Sequence, residues 1–219
     1  MEPVLDHAPG AADAAAPSAG ARPSLPDRLP HGDPDDLVVL LDDERRPIGT
    51  APRQDVHGHD TPLHLAFSCY LIDGQGRVLL TRRALGKRSW PGVWTNSFCG
   101  HPRPGEDLVD AVSRHGRGEL GLEPASIRPF LPDFAYRAVD ASGVVENEVC
   151  PVFVARATDD AQPHPDEVEE LRWVDVSDLR ETVRIAPWAL SPWLVEQAAA
   201  IEAADAWHVL APDQTETSP

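Results

Sequence analysis

"GHPRPGEDLVDAVSRHGRGELGL", residues 100–122, changes character partway along. Its first seven residues hold two glycines and two prolines, too many for a helix interior, where Gly costs about 1 and Pro about 3 kcal/mol relative to Ala. From about Glu106 the text becomes helical: Leu108, Ala111, Val112 and Leu120 recur on a partial apolar stripe. Gly116 and Gly118 each cost such a helix about 1 kcal/mol, so close packing is expected to favour them over alanine.

Upstream, "WPGVWTNSFCGHPRPGE" (residues 90–106) packs tryptophan, cysteine and histidine among Gly and Pro, which predicts a rigid loop that holds something. "LHLAFSCYLIDGQGRVLLTRRA" (63–84) has two apolar runs around a turn signal and predicts a hairpin. "DDLVVLLDDERRPIG" (35–49) predicts a short strand and a turn. Downstream, "FLPDFAYRAVD" and "VVENEVCPVFVARA" predict strands about the turn at Ser142-Gly143. "EELRWVDVSDLRE" predicts a strand running into a helix start. "SPWLVEQAAAIEAADAWHV" is the clearest helix: Ser191 caps it, Pro192 suits its first turn, and Leu194, Ala198 and Ile201 share a face. Many short strands with about two helices predict an α/β fold with a mostly mixed sheet.

The 219 residues suffice for one domain with a real core, expected over residues 37–208. Residues 1–36, rich in Ala, Pro, Gly and Asp, predict a disordered tail, and 209–219 a flexible one. No window reaches the roughly 18 apolar residues of a membrane span, and no secretory signal is legible at the N-terminus. The net charge of -17 argues against nonspecific binding to nucleic acid or anionic lipid. Cys69, Cys99 and Cys150 form no CxxC and read as reduced cytoplasmic thiols. Nothing demands more than a monomer.

Four groups carry candidate chemistry. His57, His64 and His101, with Glu146 and Glu148 on one face of a strand by period two, offer a mixed N/O shell suited to Mn, Fe or Zn. Cys99 is a nucleophile, an acid or base, or a small buried filler; His101 two residues on favours a function. Arg53, Arg82, Arg83, Lys87 and Arg88 match phosphate oxygens or form an ordinary solvated basic loop. The fourth is the opening stretch itself.

That stretch resembles the Nudix box, G-x5-E-x7-R-E-U-x-E-E-x-G-U, where U is bulky and apolar. Gly100, Glu106, Arg114, Glu119, Gly121 and Leu122 fall on the pattern. His115 and Gly118 replace two of its glutamates, and Gly116 an apolar position. The resemblance implies a Nudix-type α/β/α sandwich whose hydrolytic Mg²⁺ cluster is largely dismantled, with Glu119 left. "LHLAF", "TRRALGKRSW", "WPGVWTNSFCGHP", "YRA" and "ENEVCPVF" together are similar to the type 1 isopentenyl-diphosphate isomerases, a similarity running from about Leu37 to Trp207.

This second resemblance implies interconversion of isopentenyl and dimethylallyl diphosphate in isoprenoid biosynthesis, through protonation to a tertiary carbocation. It implies Cys99 and Glu148 as acid and base on opposite sides of the substrate. Tyr136 would lie beside Glu148, and the Trp193 indole beside the developing cation. It implies His57, His64, His101, Glu146 and Glu148 around Mn²⁺ (or Zn²⁺ or Mg²⁺), and Mg²⁺ arriving with the substrate diphosphate and met by Glu119. Arg53, Arg83 and Lys87 would bind the diphosphate, Arg53 standing where the family often has Lys. Two competing readings are a Nudix diphosphate hydrolase and a non-catalytic metal or prenyl-diphosphate binding protein.

Overall fold

The computed structural model describes residues 36–211. The tail expected over 1–36 lies outside them except for Asp36, and that over 209–219 lies outside them from residue 212 onward. In order, the chain forms β1 (Leu37–Leu41), β2 (Pro47–Pro52), α1 (Arg53–Val56), β3 (His64–Leu65), β4 (Phe67–Ile72) and β5 (Val78–Arg83). Next come β6 (Trp94–Thr95), β7 (Phe98–Gly100), α2 (Leu108–Leu120), β8 (Pro124–Leu131), β9 (Ala135–Val139) and β10 (Val145–Val149). The last are β11 (Val152–Ala157), β12 (Val168–Val174), α3 (Val176–Ile185) and α4 (Pro192–Ala203).

Two sheets result. One runs β2-β1-β3-β10-β9; the other runs β12-β5-β4-β11-β8, with β6 on β5 and β7 on β4. Each is mixed, through one parallel pair: β3 with β10 and β4 with β11. Every residue of β4 is buried, as a strand covered on both faces requires. Phe67, Cys69 and Leu71 pack with Ala111, Val112 and Leu120 of α2. Tyr70 and Ile72 pack on the other side with Leu179 of α3 and with Leu194 and Ile201 of α4. Helices thus cover both faces, the α/β/α sandwich that the resemblance implies.

The hairpin of β4 and β5 turns at Asp73, whose carboxylate accepts from the Gln75 and Arg77 amides, with Gly76 at φ 77°. Beyond the turn the arms admit β6 and β7, which lie in the stretch read as a loop. At two and three residues, neither strand is long enough to show an alternating pattern. The helix of the opening stretch begins at Leu108, two residues after its expected start, because the Asp107 side chain accepts from the Val109 amide. A Cβ on Gly116 would stand 2.4 Å from Pro124 Cγ, so close packing does require that glycine. The two expected helices are joined by α3, which continues the predicted helix start. A final 3-10 turn, Trp207–Leu210, crosses the boundary expected at residue 208 and buries Leu210 completely.

Candidate active site

Strand register places the first part of the site. Glu148 of β10 pairs with His64 of β3 on one side and with Tyr136 of β9 on the other. Glu146, two residues back, shares its face, and both carboxylates are buried. His57 follows α1, and His101 follows β7 on the same side as Cys99. His64, His101 and Glu148 converge: Nε2 to Nε2 is 3.2 Å, His101 Nε2 to Glu148 Oε1 3.2 Å, and His64 Nε2 to that oxygen 3.4 Å. Ligand atoms of His57, His64, His101 and Glu148 all lie within 4.8 Å of one another. Glu146 sits one step outward, with Oε2 2.8 Å from His57 Nε2 and Oε1 accepting from Ser89 Oγ at 2.6 Å.

This geometry fits a divalent cation. The Pro62 carbonyl, 2.9 Å from His64 Nδ1, can only accept. It therefore fixes the hydrogen of the neutral ring on Nδ1 and leaves the Nε2 lone pair facing the cluster. His57 Nε2 and Glu146 Oε2 are buried 2.8 Å apart, yet they form no well-aligned hydrogen bond with each other or with any other group, as two donor atoms aimed at a shared cation would. Burial drives the His101 pKa down to about 3, against the pull of Glu148, so its ring stays neutral and able to donate a lone pair. Burial also opposes a charge on His57, but the Glu146 and Glu148 carboxylates outweigh it and push the pKa up to about 9. The three imidazoles in turn hold the Glu148 carboxyl well below its usual range despite its burial. The carboxylates thus demand positive charge at this point, and nitrogen with oxygen donors suits a borderline metal.

The second part is an apolar slot. Cys99 lies opposite Ser68 across β4 and β7, and packs with Tyr136, Trp193, Ala66 and Trp90. Burial pushes its thiol up to about 11, although hydrogen bonds from Ser68 and Asn96 pull the other way. Trp193, in the first turn of α4, is buried. Its ring meets Trp90 edge-on at 5.5 Å and Tyr136 at 5.7 Å, and the Arg83 guanidinium carbon lies 5.4 Å from the ring centroid.

The third part is cationic. One cavity of about 750 Å³ is lined by Arg53, His57, Arg83, Lys87, Cys99, His101, Glu119, Tyr136, Glu146, Glu148 and Trp193. Of the residues that the isomerase resemblance places at the site, only the fully buried His64 is missing from that lining; Arg82 of the wider cationic group is absent as well. Each cation has an acceptor: Arg53 pairs with Asp36 at 2.7 Å, Lys87 with Glu167, and Arg83 donates to the Ser89 carbonyl and hydroxyl. Arg82 instead pairs with Glu170, and Arg88 donates to the Gln54 carbonyl. Glu119 pairs at 2.8 Å with His115, the residue that replaces a Nudix-box glutamate.

Several residues of the site carry no signal in the sequence. Ser68, Ser89 and Gln197 are isolated polar residues whose spacing says nothing of their partners. Asn96, three residues before Cys99, falls in the stretch read as a loop, where an amide draws no notice.

A NUDIX domain model matches residues 62–194. The "Isopentenyl-diphosphate Delta-isomerase" of Frankia alni is 66% identical over 165 residues, covering 75% of this chain and 85% of that one. Proteins of the same name from Agromyces mediolanus (61% identical; 74% and 79% covered) and Mycolicibacterium vanbaalenii (56%; 82% and 99%) also match. Among solved structures, DR0079 of Deinococcus radiodurans superposes with a TM-score of 0.58 at 20% identity, over 75% of this chain and 98% of that one. With a domain match over most of the chain, and identities this high over most of the relatives' lengths, the chain belongs to the isopentenyl-diphosphate Delta-isomerases of the Nudix superfamily.

Proposed function

We propose that the protein interconverts isopentenyl and dimethylallyl diphosphate, with Cys99 and Glu148 exchanging protons with the two ends of the moving double bond. One observation carries the reading: a thiol, a carboxylate, an indole face and three cations line a single cavity. The alkene is unactivated, so a proton must be delivered to a carbon of low basicity inside a water-poor slot. Cys99 holds such a proton at neutral pH, because burial keeps its thiol in the acid form. Glu148 presents an ionised carboxylate beside Tyr136. Which of the two gives the proton depends on the direction of the reaction, since it is reversible. The tertiary cation formed between them faces the Trp193 ring, and a desolvated cation–π contact contributes about 2 kcal/mol.

Arg53, Arg83 and Lys87 would anchor the diphosphate, leaving the hydrocarbon end to reach the slot. A Mn²⁺ ion (or Zn²⁺ or Mg²⁺) held by His57, His64, His101, Glu146 and Glu148 would supply the fixed charge that orients the Glu148 carboxyl, and Mg²⁺ near Glu119 would neutralise diphosphate charge. The loss of two Nudix-box glutamates, to His115 and Gly118, argues against hydrolysis. The test is turnover of isopentenyl diphosphate in deuterated water with the purified, metal-loaded protein. Dimethylallyl diphosphate carrying deuterium is expected. Cys99→Ala and Glu148→Gln should each abolish it with the fold intact. Phosphate release without the allylic product would support the hydrolase, and near-wild-type turnover in either variant would sink the assigned chemistry.

A further inference from the structure

Asn96 is fully buried and belongs to none of the groups assigned so far. Its amide nitrogen donates to the Cys69 carbonyl at 3.1 Å and to the Phe98 carbonyl at 2.9 Å. Carbonyls only accept, so these two bonds fix which end of the amide is nitrogen. The oxygen then points the other way. It accepts from Trp193 Nε1 at 3.0 Å and from Thr95 Oγ1 at 2.9 Å, and it lies 3.4 Å from Cys99 Sγ. The sulfur is also 3.4 Å from the amide nitrogen, so it rests against the polar edge of Asn96.

Other bonds brace this contact. Thr95 Oγ1 lies 2.8 Å from Ser191 Oγ, the cap of α4, and the Ser191 amide donates to the Trp94 carbonyl at 2.8 Å. The helix that carries Trp193 is thereby docked on β6, which leads through Asn96 into the strand of Cys99. Ser68 Oγ also stands 3.2 Å from the sulfur and accepts from Gln197 Nε2 of the same helix at 2.9 Å. Among the described residues, no other group is hydrogen-bonded to both the indole N–H and the thiol.

We infer that Asn96 is a positioning residue for the isomerisation: its single amide oxygen sets the Cys99 sulfur and the Trp193 ring relative to each other, so that proton and π-face meet the same substrate carbons. The inference rests on the roles proposed above for Cys99 and Trp193. It separates two parts of the kinetics, because none of the diphosphate anchors Arg53, Arg83 and Lys87 is bonded to Asn96, and Arg83, which lies 5.4 Å from the Trp193 ring centroid, is held by its own bonds to Ser89. Loss of the tie should misplace the reacting groups while leaving substrate capture intact, and a displacement of about 1 Å can cost roughly 100-fold in rate.

The experiment measures kcat, KM for isopentenyl diphosphate and melting temperature for the wild type, Asn96→Ala, Trp193→Phe and the double variant, with Cys99→Ala as the reference for the underlying chemistry. Folded Asn96→Ala is expected to lose about 100-fold in kcat with KM within a few-fold of wild type. Its further effect in the Trp193→Phe background should be much smaller, since phenylalanine has already removed the shared donor. A folded Asn96→Ala with wild-type kcat, a defect confined to KM, or full additivity would overturn the inference. If Asn96→Ala does not fold, Trp193→3-benzothienylalanine deletes the indole N–H alone. A drop in kcat at constant KM then supports the tie, and unchanged kcat overturns it. An active Cys99→Ala would instead overturn the reading beneath it, whatever Asn96→Ala does.

Discussion

His64 and Glu148 are register partners across the parallel pair β3–β10, with His64 Nε2 3.4 Å from Glu148 Oε1. Two strands far apart in sequence therefore present a lone pair and a carboxylate to one point before any ion arrives. His64 is fully buried, so its ring cannot turn to water in compensation. Chelation should leave Glu148 held by the imidazoles and Glu146 by His57 and the Ser89 hydroxyl. The expected result is a fall in melting temperature of about 10 °C when a site saturated some 1,000-fold above its Kd is stripped of metal. Calorimetry with and without chelator, alongside elemental analysis, measures it. His64→Ala should abolish the chelator-dependent shift and the bound metal together.

Gly116 makes an opposite demand on intuition. Replacing a helical glycine with alanine ordinarily stabilises by about 1 kcal/mol. Here the new methyl would meet Pro124 Cγ at 2.4 Å and Cδ at 2.6 Å, ring atoms with little freedom to retreat. Overpacking of this kind costs about 1–3 kcal/mol and outweighs the propensity gain. Gly116→Ala should therefore lower the urea midpoint with the slope unchanged, and an increased midpoint would show that β8 gives way.

The same residue shows how far the sequence could be read. Its cost to the helix was visible, and so was the need for a compensating contact, but the contact with Pro124 arises across a turn that no local pattern encodes. The longer strands and the two expected helices follow from apolar runs and caps, because each declares itself within a dozen residues; α3 showed only its start, and the division into two sheets was not legible. The five proposed metal-site residues were visible as residue types and became a set through resemblance. The strand register that gathers them is a long-range property. Asn96, Ser68 and Gln197 were not legible as a network, since one amide or hydroxyl in a bend, a strand or a helix looks the same whether it meets a sulfur or water.

Glu106 and Arg114, two positions kept from the Nudix box, form a two-pronged ion pair: Arg114 Nε to Oε1 at 2.8 Å and Nη2 to Oε2 at 2.6 Å. The Arg103 amide adds a third bond at 2.7 Å, and Arg114 Nη2 also donates to the carbonyl of His101. The pair thus braces the loop that carries a proposed metal ligand. Partial burial works against the ionised carboxyl, but Arg114 and the Arg103 amide outweigh it, so the folded pKa of Glu106 is lowered. A carboxyl depressed on folding adds stability above its unfolded pKa, near 4.3, and that stability disappears as pH falls through the folded value. Glu106→Gln should accordingly be less stable than wild type by roughly 1–2 kcal/mol at pH 7. The gap should narrow once the pH drops below about 4, as urea titrations across that range would record. A gap that stays constant with pH would assign the effect to packing instead.

Lys87 and Glu167 form an ion pair at the mouth of the cavity, with the carboxylate more deeply buried than the ammonium. The Ala84 amide donates to the Glu167 carbonyl, so the loop that carries Lys87 is stitched to the one that carries its partner. A diphosphate approaching Lys87 must then share the ammonium with a carboxylate of its own sign. Lys87→Met removes an attraction, and Glu167→Gln removes a repulsion while keeping the shape. The two variants should move affinity for inorganic diphosphate in opposite directions. Lys87→Met is expected to weaken it about tenfold or more, and Glu167→Gln to strengthen it by up to about tenfold at low salt, the gain shrinking as ionic strength rises. Calorimetric titration at two salt concentrations distinguishes the cases. If Glu167→Gln instead weakens binding at both, the carboxylate serves to aim the lysine rather than to compete for it, and the proposed competition at this end of the cavity is wrong.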